Sequence, residues 1–274
     1  MPSTDMNTKR FTVPRYVDTH IHLDMYDADM ASAFMSGLGT TAGVEYVVAV
    51  SMHLGSCKAT ELLALASSRV LPAYGYHPEQ ELPSDEELAA LLRWMDQRQS
   101  QMCAIGEVGL PYYRREEALT KGEKFHREPY IELLEPFVKR AAAWNKPIVL
   151  HAVYDDAPIV CDMLEQHNVR KAHFHWFKGD DNTIQRMAAN GYYVSLTPDL
   201  LYETEIQQLA ARYPLGQVMT ETDGPWPFDG PFAGHSTEPG MVRSVAAHWA
   251  VLHGLSDVEA AEILYNNAKR LYGF

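Results

Sequence analysis

The sequence predicts a single (β/α)8 barrel, and three observations support this. Short apolar runs alternate with helical patterns, eight such runs can be counted, and the 274 residues suit a barrel of about 250. Strands separated by helices pair in parallel through right-handed crossovers, and eight such units close into a barrel. A doubly wound open sheet is the alternative. It usually carries a glycine-rich turn after strand one, whereas this strand ends in His20-Ile21-His22.

Eight segments have the composition of buried strands, because each is short, apolar and rich in Val, Ile, Tyr or Phe. These predicted strands are residues 15–20, 44–51, 70–76, 103–107, 147–151, 172–175, 192–195 and 217–220. Their spacing along the chain leaves room for a helix between most neighbouring pairs. The sequence therefore predicts a parallel sheet with helices on its outer face.

Helical patterns fill most of these intervals. Ser84 and Glu87 have the spacing of a capping box, and Ser256 is the expected N-cap of the last helix. The predicted helices are residues 85–97, 124–144, 156–167, 180–190, 202–212, 241–253 and 257–265. The segment after the fourth strand is predicted to be a loop, and it carries the densest basic stretch near the strand ends, with Tyr112, Tyr113, Arg114, Arg115, Lys121 and Lys124.

Composition narrows the class of protein further. Residues 1–14 form a polar segment without the apolar core of a secretory signal, and residues 15–274 form the expected barrel domain. The net charge of −13 argues against a surface that grips DNA or anionic lipid along its length. No apolar run approaches the roughly 18 residues of a membrane helix. The cysteines, at positions 57, 103 and 161, are expected to be free thiols in the cytoplasm.

Residue types that bind metals follow five of the eight predicted strands. They are His20, His22, Glu107, His151, His175, Glu221 and Asp223. Because strand side chains alternate, His20 and His22 point together into the barrel mouth, where the strand ends of a barrel meet. Imidazoles with two carboxylates suit Zn²⁺, Mn²⁺ or similar ions. Rim polar residues that hold no metal are the alternative.

A second layer of polar residues is expected behind these candidates. His175 lies nearer its strand end than His173, so His175 should reach a metal while His173 lies one layer deeper. Asp18 and Glu221 have the same relation to His20 and Asp223. We expect each deeper residue to hydrogen-bond a ligand and orient it.

Seven motifs, in order along nearly the whole chain, resemble the TatD family of metal-dependent deoxyribonucleases and hydrolases. They are Val17-Asp18-Thr19-His20-Ile21-His22-Leu23, Tyr74-Gly75-Tyr76-His77-Pro78, Ile105-Gly106-Glu107-Val108-Gly109-Leu110, Pro147-Ile148-Val149-Leu150-His151, His175-Trp176-Phe177-Lys178-Gly179, Glu221-Thr222-Asp223-Gly224-Pro225 and Asn267-Ala268-Lys269-Arg270-Leu271-Tyr272. The resemblance implies a TIM barrel with an amidohydrolase-like site for one or two divalent ions, Zn²⁺, Mg²⁺ or Mn²⁺, at its C-terminal face.

The resemblance also implies roles for individual residues. It assigns as metal ligands His20, His22, Glu107, His151, His175 and Asp223. Glu107 would bridge two ions, and Asp223 would orient or deprotonate the attacking water, so both would be catalytic. His77 would line the pocket and contact a phosphate.

Three positions depart from the family pattern. Where the family has Ser-Arg-Asp after the histidine of the fifth strand, this chain has residues 152–156, Ala-Val-Tyr-Asp-Asp, without an arginine. Pro111 stands in place of a common Asp, and Trp176 in place of a common Cys. The His175-Trp176-Phe177 and Glu221–Pro225 variants are similar to the QatD branch, which implies phage defence alongside other Qat proteins.

The expected reaction is phosphodiester hydrolysis on a DNA end, single-stranded DNA or a small phosphorylated ligand. Trp226 beside the metal site can stack a base, or it can pack its loop onto the barrel. Lys178, just beyond His175, is placed to meet a phosphate. One alternative is an amidohydrolase-like enzyme that cleaves a C–N or ester bond, which fits the missing arginine. The other is a degenerate barrel that serves as a binding subunit.

Overall fold

The computed structural model describes residues 13–40 and 43–274. Its eight strands form one sheet in sequential order, and all seven neighbouring pairs are parallel. The strands are β1 Tyr16–Ile21, β2 Val44–Ala49, β3 Val70–Tyr74, β4 Ala104–Gly109, β5 Ile148–His151, β6 Ala172–Phe174, β7 Tyr193–Leu196 and β8 Val218–Thr220. This order confirms the (β/α)8 barrel and excludes the doubly wound sheet, whose strand order reverses.

Ten α-helices accompany these strands in the described residues. They are α1 Ala28–Gly37, α2 Leu54–Ala66, α3 Asp85–Asp96, α4 Tyr112–Thr120, α5 Glu128–Trp144, α6 Ala157–Gln166, α7 Asp181–Ala189, α8 Thr204–Arg212, α9 Val242–His253 and α10 Asp257–Tyr272. Both expected caps are present, since Ser84 and Ser256 each form a capping box with the glutamate three residues on. No helix among residues 13–40 and 43–274 is long and apolar enough to span a bilayer.

Hydroxyl groups and backbone bonds join the first and last strands of the barrel. Thr19 Oγ1 donates to the Thr220 carbonyl at 3.0 Å, and Thr220 Oγ1 donates to the Val17 carbonyl at 3.1 Å. Past the end of β8, the Asp223 amide donates to the His20 carbonyl at 2.9 Å. These bonds nearly close the barrel and bring the residues after β8 against the end of β1.

The apolar core of the described residues has three clusters, and the smallest packs β1, β2 and β3 against α1 and α2. The larger cluster fills the space between the sheet and the surrounding helices, with Phe137 of α5 and Trp249 of α9 fully buried in it. A second cluster combines strand residues such as Val149 and Met219 with the end of α10, including Tyr272. The last helix therefore reaches the strand residues of this second cluster.

Three sequence predictions need correction. The predicted loop after the fourth strand contains α4, which the sequence pattern concealed because Arg115 is its buried residue and no apolar stripe marks it. The predicted helix 257–265 continues to Tyr272. The helix predicted from residue 124 begins at Glu128, with Pro129 in its first turn. Helices α1 and α2 were not predicted individually. The predicted segment 1–14 lies mostly outside the described residues.

Candidate metal centre

The carboxyl ends of the strands bring the six predicted ligands to one point at the barrel mouth. Glu107 lies within β4, His20 within β1, and His151 ends β5. His22 and His175 directly follow β1 and β6, and Asp223 follows β8 by three residues. His77, three residues past β3, joins the same cluster. All seven side chains are buried or nearly so.

Two glycines allow the strands around Glu107 to approach closely. A Cβ on Gly75 would lie 2.6 Å from the Glu107 carbonyl oxygen, and one on Gly109 would overlap the His151 carbonyl. A side chain at either position would push β3 or β5 away from β4. The glycines therefore set the spacing between Glu107 and the histidines on neighbouring strands.

The Glu107 carboxylate is the centre of this cluster. Its Oε2 lies 3.1 Å from His20 Nε2 and 3.3 Å from His22 Nε2. Its Oε1 lies 2.8 Å from His175 Nε2, 3.2 Å from His151 Nδ1 and 3.3 Å from His77 Nε2. The two oxygens of one carboxylate thus face two different sets of imidazoles.

Asp223 closes the cluster on the side of β1. Its Oδ1 lies 3.3 Å from His20 Nε2 and 3.5 Å from His22 Nε2. The backbone at Asp223 is left-handed, with φ of 49°. This conformation is uncommon for a residue with a side chain and costs about 1–3 kcal/mol, and the backbone bond to His20 across the barrel seam helps to hold it.

The unpaired polar atoms of the cluster fit a divalent ion. Both Glu107 carboxylate oxygens, both His20 ring nitrogens and Asp223 Oδ1 are buried without a properly aligned hydrogen bond, although buried polar atoms normally have one. Three ligand groups lie within mutual reach: His20, His22 and Asp223; His20, Glu107 and His175; and His22, His77 and Glu107. Imidazoles combined with carboxylates are a donor set for Zn²⁺ and related ions.

Charge in the cluster favours cation binding as well. Burial raises the pKa of Glu107, yet the surrounding imidazoles, His175 foremost, hold it well below its usual range. Burial lowers the pKa of His22, but the Asp223 and Glu107 carboxylates outweigh this and raise it to about 10. The carboxylates are therefore ionised and share protons with the rings, and a divalent cation would take the place of those protons.

Asp18 ties the end of β1 to the segment after β8. Its oxygens accept bonds from the Thr222 amide at 3.0 Å, the Thr222 hydroxyl at 2.5 Å and the His20 amide at 3.3 Å. Burial raises the pKa of Asp18 to about 7 against these bonds. Asp18 thus holds the backbone that carries His20 and Asp223 and does not bond an imidazole itself.

Glu221 and His173 lie behind His175, in the order that the strand alternation predicts. Glu221 Oε1 is 3.6 Å from His175 Nδ1 and accepts the Trp176 amide at 2.8 Å. His173 is fully buried, and burial holds its pKa well below the usual value. Its two ring nitrogens bond Tyr272 and Ser195, so the expectation that it hydrogen-bonds a ligand directly is wrong.

Sequence reasoning missed Glu79. Its Oε1 lies 3.1 Å from His151 Nε2 and accepts the Tyr113 amide at 2.8 Å, while its Oε2 accepts the Arg114 amide at 2.8 Å. A carboxylate at the amides of a helix N-terminus is well placed, so Glu79 orients His151 and anchors α4 together. Its position two residues after His77 on the same loop was the available signal.

A cavity of about 600 Å³ opens above the cluster. Tyr113 and Arg114 of α4 line it together with Trp176 and Trp226. Trp226 is 57% exposed and lies 6.0 Å from Trp176, whereas Phe228 in the same loop is buried. Lys178 is not among the lining residues, and its ammonium lies 5.6 Å from the Trp176 ring. The cavity wall therefore carries Arg114 rather than Lys178.

A barrel with a metal-binding donor set at the carboxyl ends of its strands is the architecture of a metal-dependent hydrolase. The family model described as TatD related DNase matches residues 17–273. The chain belongs to the TatD family, as its motifs predicted.

Individual relatives agree with this membership. An uncharacterized metal-dependent hydrolase of Haemophilus influenzae is 39% identical over 216 residues, which cover 78% of this chain and 82% of the relative. Human deoxyribonuclease TATDN3 is 28% identical over 264 residues, covering 93% and 94%. The fold is similar to that in the crystal structure of YJJV, a TatD homolog from Escherichia coli, which superimposes with a TM-score of 0.81 at 24% identity and covers 96% of this chain and all of that one.

Replacing Glu107 should weaken metal binding. Glu107→Gln keeps the shape but removes the charge that faces both sets of histidines, so affinity for Zn²⁺ or Mn²⁺ should fall by more than about tenfold. A ligand at about a hundred times its Kd stabilises a protein by roughly 2.7 kcal/mol. At the same ion concentration a tenfold weaker Kd leaves about 1.4 kcal/mol, so the rise in Tm that these ions cause should fall to about half of the wild-type rise or less.

The matched control is Glu165→Gln, which removes a surface carboxylate paired with Arg186 at 2.7 Å. It should leave the metal-induced rise in Tm unchanged. An undiminished rise in Glu107→Gln would show that ions bind elsewhere.

Proposed function

We propose that this chain hydrolyses phosphodiester bonds with two divalent ions bridged by Glu107. The proposal rests on the observation that the two oxygens of the Glu107 carboxylate face different histidines. Its Oε2 faces His20 and His22. Its Oε1 faces His175, His151 and His77. Two ions held side by side stabilise both the attacking and the leaving oxygen of an in-line displacement and generate a nucleophile near neutral pH.

The side chains around these ions have separate tasks. His20, His22, His151 and His175 would hold the ions through neutral ring nitrogens, and Glu107 would offer its carboxylate oxygens to both. Asp223 lies at the cavity surface with Oδ1 unpaired, so it can ligate and orient the water that attacks the phosphorus. Glu79 bonds His151 from behind at 3.1 Å, and the Glu221 carboxylate lies 3.6 Å from His175 Nδ1.

A strand end or a small phosphorylated ligand fits the cavity better than a length of duplex. Pockets of roughly 300–1,000 Å³ enclose molecules of nucleotide size, and α4 walls this one on one side. Tyr113 and Trp226 offer ring faces on which bases can stack. The net charge of −13 disfavours a basic track along the surface. The human relative named a deoxyribonuclease supports DNA as the substrate class.

Arg114 is the cation that we assign to the substrate phosphate, in place of the arginine that is missing after β5. Its side chain lines the cavity, is 30% exposed and bonds the exposed Glu81 at 2.7 Å. A surface pair of this kind contributes about 1 kcal/mol or less, so a phosphate can compete for the guanidinium. Lys178 stays a predicted phosphate contact, with its ammonium against Trp176.

A further proposal rests only on the similarity of residues 175–177 and 221–225 to the QatD branch. It assigns the chain to phage defence in the cytoplasm, together with other Qat proteins. Genes for those partners beside this one would support it, and their absence would remove its basis.

Hydrolysis of labelled single-stranded DNA tests the reaction itself. With Mg²⁺, Mn²⁺ or Zn²⁺, the wild type should cleave the strand. Glu107→Ala and Asp223→Asn should be slower by about a hundredfold or more, because each removes charge from the reacting centre. Glu165→Gln should cleave like the wild type.

Two outcomes would contradict the proposed nuclease activity. One is that the wild type cleaves DNA with none of the ions. The other is that Glu107→Ala and Asp223→Asn cleave at the wild-type rate. Turnover of amide or carboxylic ester substrates without DNA cleavage would favour the amidohydrolase-like alternative. Metal binding without turnover of either class would favour a binding subunit.

The phosphate contact is tested by comparing Arg114→Ala with Lys178→Ala. A hydrogen bond to a charged group contributes about 1.5–3 kcal/mol, so Arg114→Ala should raise KM for single-stranded DNA about tenfold or more. Lys178→Ala should change KM less. Arg98→Ala is the control, since Arg98 stacks on Trp94 and pairs with Glu61 away from the cavity. The reverse ranking would assign the contact to Lys178.

A further inference from the structure

A chain of buried hydrogen bonds runs from the last helix to Glu221, beside the metal centre. Tyr272, the last residue of α10, has its hydroxyl 2.7 Å from His173 Nδ1. His173 Nε2 is 2.5 Å from Ser195 Oγ, and Ser195 Oγ donates to Glu221 Oε2 at 2.5 Å. All four side chains are buried. The chain ends beside the candidate ligand His175.

The direction of every bond in this chain is fixed by counting hydrogens. A serine hydroxyl has one hydrogen, and Ser195 uses it on Glu221, so it must accept from His173 Nε2. A neutral imidazole has one N–H, which His173 thus spends on Ser195. Its Nδ1 then has only a lone pair to offer, and Tyr272 must be the donor. The protons therefore all point from α10 toward Glu221.

Glu221 is the last residue of this chain and lies beside His175. Its Oε2 accepts the Ser195 hydroxyl and its Oε1 accepts the Trp176 amide. Glu221 Oε1 also lies 3.6 Å from His175 Nδ1, which is a distance for electrostatic attraction and not for a hydrogen bond. A carboxylate beside one ring nitrogen favours the tautomer with the proton on that nitrogen. The other nitrogen, Nε2, is the one that lies 2.8 Å from Glu107 Oε1.

We propose that Tyr272 is a positioning residue for the metal centre. Acting through His173, Ser195 and Glu221, it keeps the proton of His175 on Nδ1 and leaves the Nε2 lone pair for the ion. Without the Tyr272 hydroxyl, His173 can adopt the other tautomer, with its proton on Nδ1. Its Nε2 then becomes an acceptor, and Ser195 can donate its one hydrogen either to His173 or to Glu221. The inference depends on the metal centre and is independent of the substrate.

The test compares Tyr272→Phe and Ser195→Ala with Tyr213→Phe. Tyr213 is equally buried, and its hydroxyl donates to the Tyr192 carbonyl at 2.9 Å, outside this chain. Zn²⁺ affinity is measured by competition with a chelator. Tyr272→Phe and Ser195→Ala should each bind Zn²⁺ about tenfold more weakly, in the range seen for partners of ligating histidines, while Tyr213→Phe should bind like the wild type.

A spectroscopic readout separates positioning from loss of packing. In the Zn²⁺-loaded wild type and Tyr213→Phe, nitrogen-15 NMR of labelled histidine should show the His175 Nδ1 proton in slow exchange with water. In Tyr272→Phe and Ser195→Ala this exchange should accelerate. Ser195→Ala, which removes little volume, keeps the test decisive in case Tyr272→Phe does not fold.

Wild-type Zn²⁺ affinity and slow exchange in both variants would overturn the proposal, as would an equal loss of affinity in Tyr213→Phe. Neither readout involves DNA cleavage. Failure of the proposed Tyr272 role can therefore be distinguished from failure of the proposed nuclease activity.

Discussion

The arrangement of the barrel mouth depends on one buried carboxylate surrounded by imidazoles. A lone ionised carboxylate in a protein interior is very costly, and Glu107 is fully buried. Five histidines from four strand ends offset that cost, each with a ring nitrogen 2.8–3.3 Å from a Glu107 oxygen. Removal of one partner of a buried charge leaves the other uncompensated. The sheet order, Gly75 and Gly109, and the bonds between β1 and β8 therefore together determine the distances between Glu107 and the histidines.

Most of the barrel could be predicted because its strands are short apolar runs that end in polar residues. Strand periodicity correctly placed His175 outside His173. The pattern could not reveal α4, whose buried residue is Arg115, nor the role of Glu79. That role depends on two α4 amides and on His151, which lies 72 residues farther along the chain. Contacts of this kind depend on tertiary packing, which no local pattern records.

The acidic composition of the chain is compatible with the proposed metal centre. Glu79, Glu107, Glu221 and Asp223 lie in or directly around the cluster. Their charge attracts divalent ions, and bound ions make the local field positive where a phosphate would enter. The proposed hydrolysis of phosphodiesters therefore does not require a basic surface.

The proposed bridging role of Glu107 is tested most directly by a crystal structure of the protein loaded with Mn²⁺ or Zn²⁺, with anomalous diffraction recorded at the metal edge. Bridging predicts two anomalous peaks, one contacting Glu107 Oε2 with His20 and His22 and one contacting Glu107 Oε1 with His175. Peaks that contact only one oxygen of Glu107, or that lie outside the cluster altogether, would contradict it.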